Sequence, residues 1–275
     1  MEQPTKDQHF VPKFYLKRFS DAHGTIKVLN LAEKRVIKSK RYSSVCYGRY
    51  FYATEAGQQD STSQEFERMF GDIENEISKD WDGMITRAVN KVLQPNDFSI
   101  LSQFVAMLML RTKANRDNLQ VINIHFLNFI LGNLQGFTNI IYSQEWTVYN
   151  RTGEFRFITS ENPVVEWSPK QTGFWGAPRL SQQQYIAVSP DVLIELTPPP
   201  LPEPGDDFPI SPPPSETVQY KEISDDDVLM YDCLLTGHGS AFAYSQERRE
   251  LDELNNQYST RGVAFQLFDK NFLRR

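Results

Sequence analysis

The chain has 275 residues, 40% of them hydrophobic and 13% aromatic, with two Cys and a formal net charge of −6. That composition sustains a buried core and excludes global disorder, which needs low hydrophobicity and few aromatics. Cys46 and Cys233 are too few for a disulfide scaffold or a Cys-rich zinc site.

The opening residues, MEQPTKDQHF, lack the apolar core of a secretory signal. The most apolar run, Ile100–Leu110, is shorter than the roughly 20 residues that span a bilayer. A cytoplasmic protein with reduced thiols and no membrane contact is expected. Charge is unevenly placed. Residues 1–49 hold 11 Lys+Arg against 4 Asp+Glu, whereas residues 191–232 hold 11 acids and the single base Lys221. A basic end of this kind attracts phosphate, or simply solvates strand edges.

In chain order, Phe10, Phe14, Tyr15 and Phe19 predict a short helix after Pro12. Residues 25–30 and 35–38 read as a hairpin turned by LAEK, and 45–53 as a further extended segment broken by Gly48. Phe66, Phe70, Ile73, Ile77, Trp81, Met84, Ala88 and Val92 recur at helical spacing. They predict one amphipathic helix over 62–93, started by a Thr62–Glu65 capping box and ended by Pro95. Asp97 is placed as the N-cap of a central helix over 98–114. A third helical stretch covers 117–131 and includes His125 as a core histidine.

Segments 145–150 and 154–159 alternate with period two, and the Arg-Thr-Gly between them reads as a hairpin turn. Strands follow at 184–188 and 191–196. Nine of the sixteen Pro then fall between Pro198 and Pro214, so 197–216 reads as an exposed Pro-rich loop, unable to join a sheet or helix. A helix at 224–235, a strand at 240–244, a helix at 246–256 and a strand at 263–268 complete the chain. The expected fold is one α+β domain over 1–275: antiparallel hairpins on a central helical section, with a Pro-rich excursion.

No HExxH, Cys-x-x-Cys, Walker A or GxSxG motif is present. His9, in a basic and aromatic segment, suits a general acid or base. Its competing role is an aromatic-packed histidine that fixes the N-terminal segment. Arg111 and Arg116 follow a helix dense enough to bury them, so each should face a carboxylate or a bound anion. Glu65, Glu67 and Glu161 are the partners weighed for them. The corner Thr159-Ser160-Glu161-Asn162-Pro163 ends a strand, where sites often lie. Glu161 suits a carboxylate base or a divalent-metal ligand; Ser160 and Asn162 suit substrate contacts, or backbone ties within a turn. His238, in Thr-Gly-His-Gly-Ser, reads mainly as a turn residue.

HFVPKFYLKRF at 9–19, YFYA at 50–53, the Arg111–Arg116 segment and TSENPVV at 159–165 resemble the uncharacterised family labelled domain of unknown function 4238, found in bacteria and fungi. The His-x-x-Pro start and the Thr-Ser-Glu-Asn-Pro corner carry most of the likeness. Glu161 stands where the family usually has Asp. The resemblance implies a shared fold and a shared site joining His9, Arg111, Arg116 and residues 160–162; it supplies no activity.

The functional expectation is a nucleic-acid-acting, nuclease-like effector, serving microbial defence. His9 and Glu161 would be its catalytic pair, and Arg111, Arg116, Ser160 and Asn162 its substrate contacts. The alternatives are a non-catalytic module that captures a protein through 198–214, and a small-molecule hydrolase or transferase.

Overall fold

The computed structural model of the chain describes residues 5–53, 61–113, 115–117, 125–167, 182–199, 213–237 and 240–260. The N-terminal part runs β1 (Asp7–His9), α1 (Lys13–Arg18), β2 (Thr25–Asn30), β3 (Arg35–Arg41), a 3-10 turn (Tyr42–Ser44) and β4 (Tyr47–Arg49). The helical section is α2 (Ser61–Ser78), α3 (Trp81–Val89), α4 (Pro95–Leu110) and α5 (Phe126–Tyr142). Then come β5 (Glu145–Arg151), β6 (Thr159–Ser160), β7 (Val164–Trp167), β8 (Gln183–Ser189), β9 (Val192–Thr197) and α6 (Pro214–Thr217). Finally β10 (Gln219–Ile223), α7 (Asp225–Thr236), β11 (Phe242–Ser245) and α8 (Arg248–Thr260) close the described chain.

The fold is α+β. Strands β10-β5-β9-β8-β7 make one sheet, β3-β2-β11-β6 a second, and β1 pairs antiparallel with β4. Pairing is antiparallel throughout except between β10 and β5. One apolar cluster runs from α1 through α4 to the larger sheet. Phe104 of α4 packs against Phe14, Tyr15 and Trp81, and Phe98 meets Trp146 edge-on at 5.2 Å. Helix α4 is buried on nearly every face, as its continuous apolar run requires. A smaller cluster of Leu29, Ile158, Ala243, Leu251 and Leu254 joins the second sheet to α8.

Helix α1, the β2–β3 and β8–β9 hairpins, α7, β11 and α8 fall where the pattern places them. Several boundaries differ. The amphipathic run over 62–93 is two helices, broken at residues 79–80. There Asp80 lays its carboxylate over Gly83, where a Cβ would collide with it, and Arg87 holds it at 2.7 Å. The break lets Trp81 dock on Phe14 and Phe104. The side chain of Thr62, half of the expected capping box, lies outside the description. Pro95 does not end that run but opens α4, a position where a missing N–H costs nothing. Gln94, not Asp97, is the N-cap; Asp97 sits one turn in and accepts the Gln94 N–H at 2.8 Å.

Of the expected 117–131 helix, residue 117 and residues 126–131 are helical; His125 is the N-cap at which α5 begins, and residues 118–124 lie outside the description. In 45–53 the only strand is β4, and Cys46 (φ 56°) and Tyr50 (φ 47°) take the left-handed conformation on either side of it. The Arg-Thr-Gly turn does not make a hairpin. Gly153 leaves room for the Asp225 carboxylate, which takes the Phe155 N–H at 2.7 Å, and Arg151 Nη1 donates to the Gly153 carbonyl at 2.6 Å. The chain therefore leaves the first sheet and reappears as β6 in the second. The final strand at 263–268, His238, and 200–212 of the Pro-rich tract also lie outside the description. Among the described residues no helix is long and apolar enough to cross a membrane.

Candidate functional site

Strand β1 delivers His9 to a cluster centred on Tyr52. The Gln8 side chain accepts the Tyr52 N–H at 2.9 Å, and the Tyr52 hydroxyl donates to the His9 carbonyl at 3.0 Å. Pro12 then starts α1 without needing a donor, which is the local use of His-x-x-Pro. The His9 ring lies 5.5 Å from Tyr47 and points Nε2 at the Ser43 carbonyl, 3.1 Å away. A carbonyl can only accept, so Nε2 carries the proton. Burial, reinforced by the Lys13 charge, pushes the imidazole down to about 4, so it is neutral at pH 7.

Arg111 is the C-cap of α4 and only 1% exposed. All three of its nitrogens are engaged. Nε donates to the Tyr52 hydroxyl at 2.6 Å, Nη1 to Glu74 at 2.6 Å, and Nη2 to the His9 carbonyl. Its face stacks over Phe70 at 4.2 Å. Burial opposes the charge, but Tyr52 and Glu74 outweigh it, and the net shift of its pKa is upward. The carboxylate partner is thus Glu74 rather than Glu65, Glu67 or Glu161. Arg111 ties β1, α2 and α4 together.

Two groups in this cluster are not closed in that way. Glu67 lies two helical turns before Glu74 on α2 and is half-buried. Burial pushes its carboxyl up to about 7; Arg111 opposes this, Glu74 adds to it and Lys13 opposes it. Arg116 is 8% exposed and stacks over Phe51 at 4.9 Å. Its Nη2 is buried with no hydrogen-bond partner, and it forms no ion pair among the described residues. Burial lowers its pKa, with the charge of Asp117 working against that.

The Thr159–Pro163 corner is assembled differently. The Tyr15 hydroxyl lies 2.7 Å from both Thr159 Oγ1 and the Ala187 carbonyl, joining α1 to β6 and β8. Ser160 is fully buried. Its hydroxyl donates to the Asn162 carbonyl at 2.9 Å and accepts the Asn162 N–H at 3.2 Å and the Ser240 hydroxyl at 3.0 Å. Glu161 Oε1 accepts the Ala241 N–H at 2.7 Å, which pins the strand that follows. Cys46 lies beside the corner, where burial, opposed by its hydrogen bond with Tyr244, raises its pKa. The thiol stays protonated and weakly nucleophilic.

His9, Arg111 and Arg116 therefore meet around Tyr52, while Ser160, Glu161 and Asn162 form a separate polar corner. The two are joined through the chain: Phe10 N–H donates to the Cys46 carbonyl at 3.1 Å. No group of three His, Cys, Asp or Glu side chains suited to a metal occurs among the described residues. Glu74 escaped the sequence reading as Arg111's partner, as did Tyr52 at the centre. For Glu74 the signal was its spacing from Glu67 and Phe70, which puts the three on one helix face.

No curated protein and no solved structure matches the chain. A family profile does match, over residues 7–126 and 122–248, and so takes in both clusters. The chain belongs to the family described as protein of unknown function, DUF4238.

Proposed function

We propose that the chain acts on nucleic acid at the Tyr52 cluster. Arg116 and Lys13 would hold backbone phosphate oxygens, and Glu67 would move the proton. The observation that supports this most is the orphaned Nη2 of Arg116, a buried guanidinium nitrogen without an acceptor. A buried charge left unpaired is costly, and a phosphate oxygen is a partner that guanidinium recognises well. Glu67, balanced near neutrality, would take a proton from an attacking hydroxyl and return it to the leaving oxygen. His9, whose Nε2–H is held by Ser43, would position the segment that carries Lys13. In this reading Glu161 holds the neighbouring strand rather than a metal.

The test is incubation of purified protein with DNA and with RNA, with and without Mg²⁺ or Mn²⁺. Cleavage, or binding that weakens steeply with salt, is expected for the wild type and reduced for Arg116→Gln. Absence of both would overturn the proposal.

One observation favours a second reading, a protein-capturing module. Pro213 is exposed, with φ −55° and ψ 142°, close to polyproline II geometry. Deleting 200–212 should then abolish partner capture while α6 and β10 stay folded. Capture that survives the deletion would remove this reading.

A further inference from the structure

Away from the Tyr52 cluster, a cleft of about 500 Å³ opens between the segment after β5 and the start of α8. Its lining is Arg151, Glu154, Arg156, Glu247 and Arg249. Two of the three guanidiniums are neutralised within the fold. Arg151 pairs with Asp191 at 2.6 Å and also holds the Gly153 carbonyl. Arg249 pairs with Glu154 at 2.9 Å, donates to the Glu154 carbonyl at 2.6 Å, and stacks over Phe155 at 5.0 Å.

Arg156 is different. Its one hydrogen-bond partner among the described residues is the neutral amide oxygen of Gln246, reached through Nη1. Glu247 is exposed in the same lining and forms no ion pair among the described residues. The cleft thus presents one uncompensated cation and one uncompensated anion that are not paired with each other. Both stand beside the Arg151–Asp191 and Arg249–Glu154 pairs of the same lining.

We propose that this cleft binds a small zwitterion of the α-amino acid class. Its carboxylate would lie on Arg156, where a guanidinium gives paired N–H donors, and its ammonium on Glu247. The volume falls in the range of small-molecule sites. A ligand with only one charge satisfies half of the lining and is repelled by the other half. The site is independent of the nucleic-acid proposal and shares no residue with it.

The experiment is calorimetric titration of the full chain with each proteinogenic amino acid, with propionate and ethylamine as the two half-molecules. At least one amino acid should bind saturably, and both half-molecules should bind about tenfold or more weakly by comparison, the loss of one charge-assisted contact. Arg156→Gln and Glu247→Gln should each weaken binding by about tenfold or more, with unchanged circular dichroism. Arg116→Gln should leave it unaltered. No saturable binding by any amino acid would overturn the proposal. So would propionate binding as tightly as the amino acids, or either cleft variant binding like the wild type.

Discussion

The Tyr52 cluster and the Thr159–Pro163 corner are both dense in polar groups, yet only the corner is closed. At the corner the Tyr15 hydroxyl, the Ser160 hydroxyl and Glu161 Oε1 all have partners inside the fold. Around Tyr52 the same holds for Arg111 and His9 Nε2, but not for Arg116 Nη2. A polar signature in a sequence is thus compatible with either a tie or a site. What separates them is unused hydrogen-bonding capacity, which costs stability unless something outside the fold fills it.

If that distinction is sound, Arg111 belongs with the ties, and its removal should have the largest effect. Arg111→Met should cost about 3–5 kcal/mol, because Glu74 is left as a partly buried charge without its partner, and the Tyr52 hydroxyl and His9 carbonyl each lose a charge-assisted hydrogen bond. Urea unfolding measures it. Adding Glu74→Gln should restore part of the loss. A cost below about 1 kcal/mol would break the distinction at its strongest point.

Acidification should act next, through His9. Its pKa falls from 6.5 unfolded to about 4 folded, so the folded state binds the proton less readily. The stabilisation is complete above pH 6.5 and is lost as pH falls towards 4, on the order of 3 kcal/mol in all. Glu67 works in the opposite sense. Its folded pKa is raised from 4.5 to about 7, so its contribution is present below pH 4.5 and lost as pH rises through 7. Stability measured from pH 4 to 8 should therefore lose its acid limb in His9→Gln and its neutral-pH decline in Glu67→Gln.

The corner offers a smaller effect. Tyr15→Phe removes the hydroxyl that joins Thr159 and the Ala187 carbonyl, and should cost about 1–3 kcal/mol by thermal or urea unfolding. Glu161→Gln keeps an acceptor for the Ala241 N–H and should cost less, with no loss of nucleic-acid binding. A Glu161→Gln variant that folds but no longer acts on nucleic acid would move the site to the corner.

Much of this arrangement was legible in the sequence where one local pattern decides the outcome. Alternating and β-branched residues placed the β2–β3 hairpin, the apolar runs on either side of Ser189-Pro190 placed β8 and β9, and the aromatic spacing after Pro12 placed α1. What escaped depended on contacts distant in the chain. Nothing local to residues 79–80 reports that Trp81 must turn towards Phe104. Likewise the period-two run at 154–159 cannot reveal that Asp225 will capture the Phe155 N–H and divert the chain to another sheet. The site followed the same rule. His9, Arg111 and Arg116 stood out as polar residues amid apolar ones. Which carboxylate met Arg111 depended on how α2 lies against α4, and that selected Glu74.

Arg116→Gln and Glu67→Gln should change stability least. Arg116 is buried over Phe51 with an orphaned nitrogen, so replacing it removes an unpaired charge as well as some packing. Glu67→Gln likewise removes a carboxylate whose ionised form burial disfavours. Measured near pH 5, where little of the Glu67 contribution has been lost, each should lie within about 1 kcal/mol of the wild type; above pH 7 Glu67→Gln should be the more stable form. Their effect should appear instead in nucleic-acid binding and turnover. Arg116→Gln should lower the salt dependence of binding by about one phosphate contact, and Glu67→Gln should spare binding while removing the neutral-pH limb of turnover. A large stability loss in Arg116→Gln would place Arg116 with Arg111 as a tie and leave the cluster without its open end.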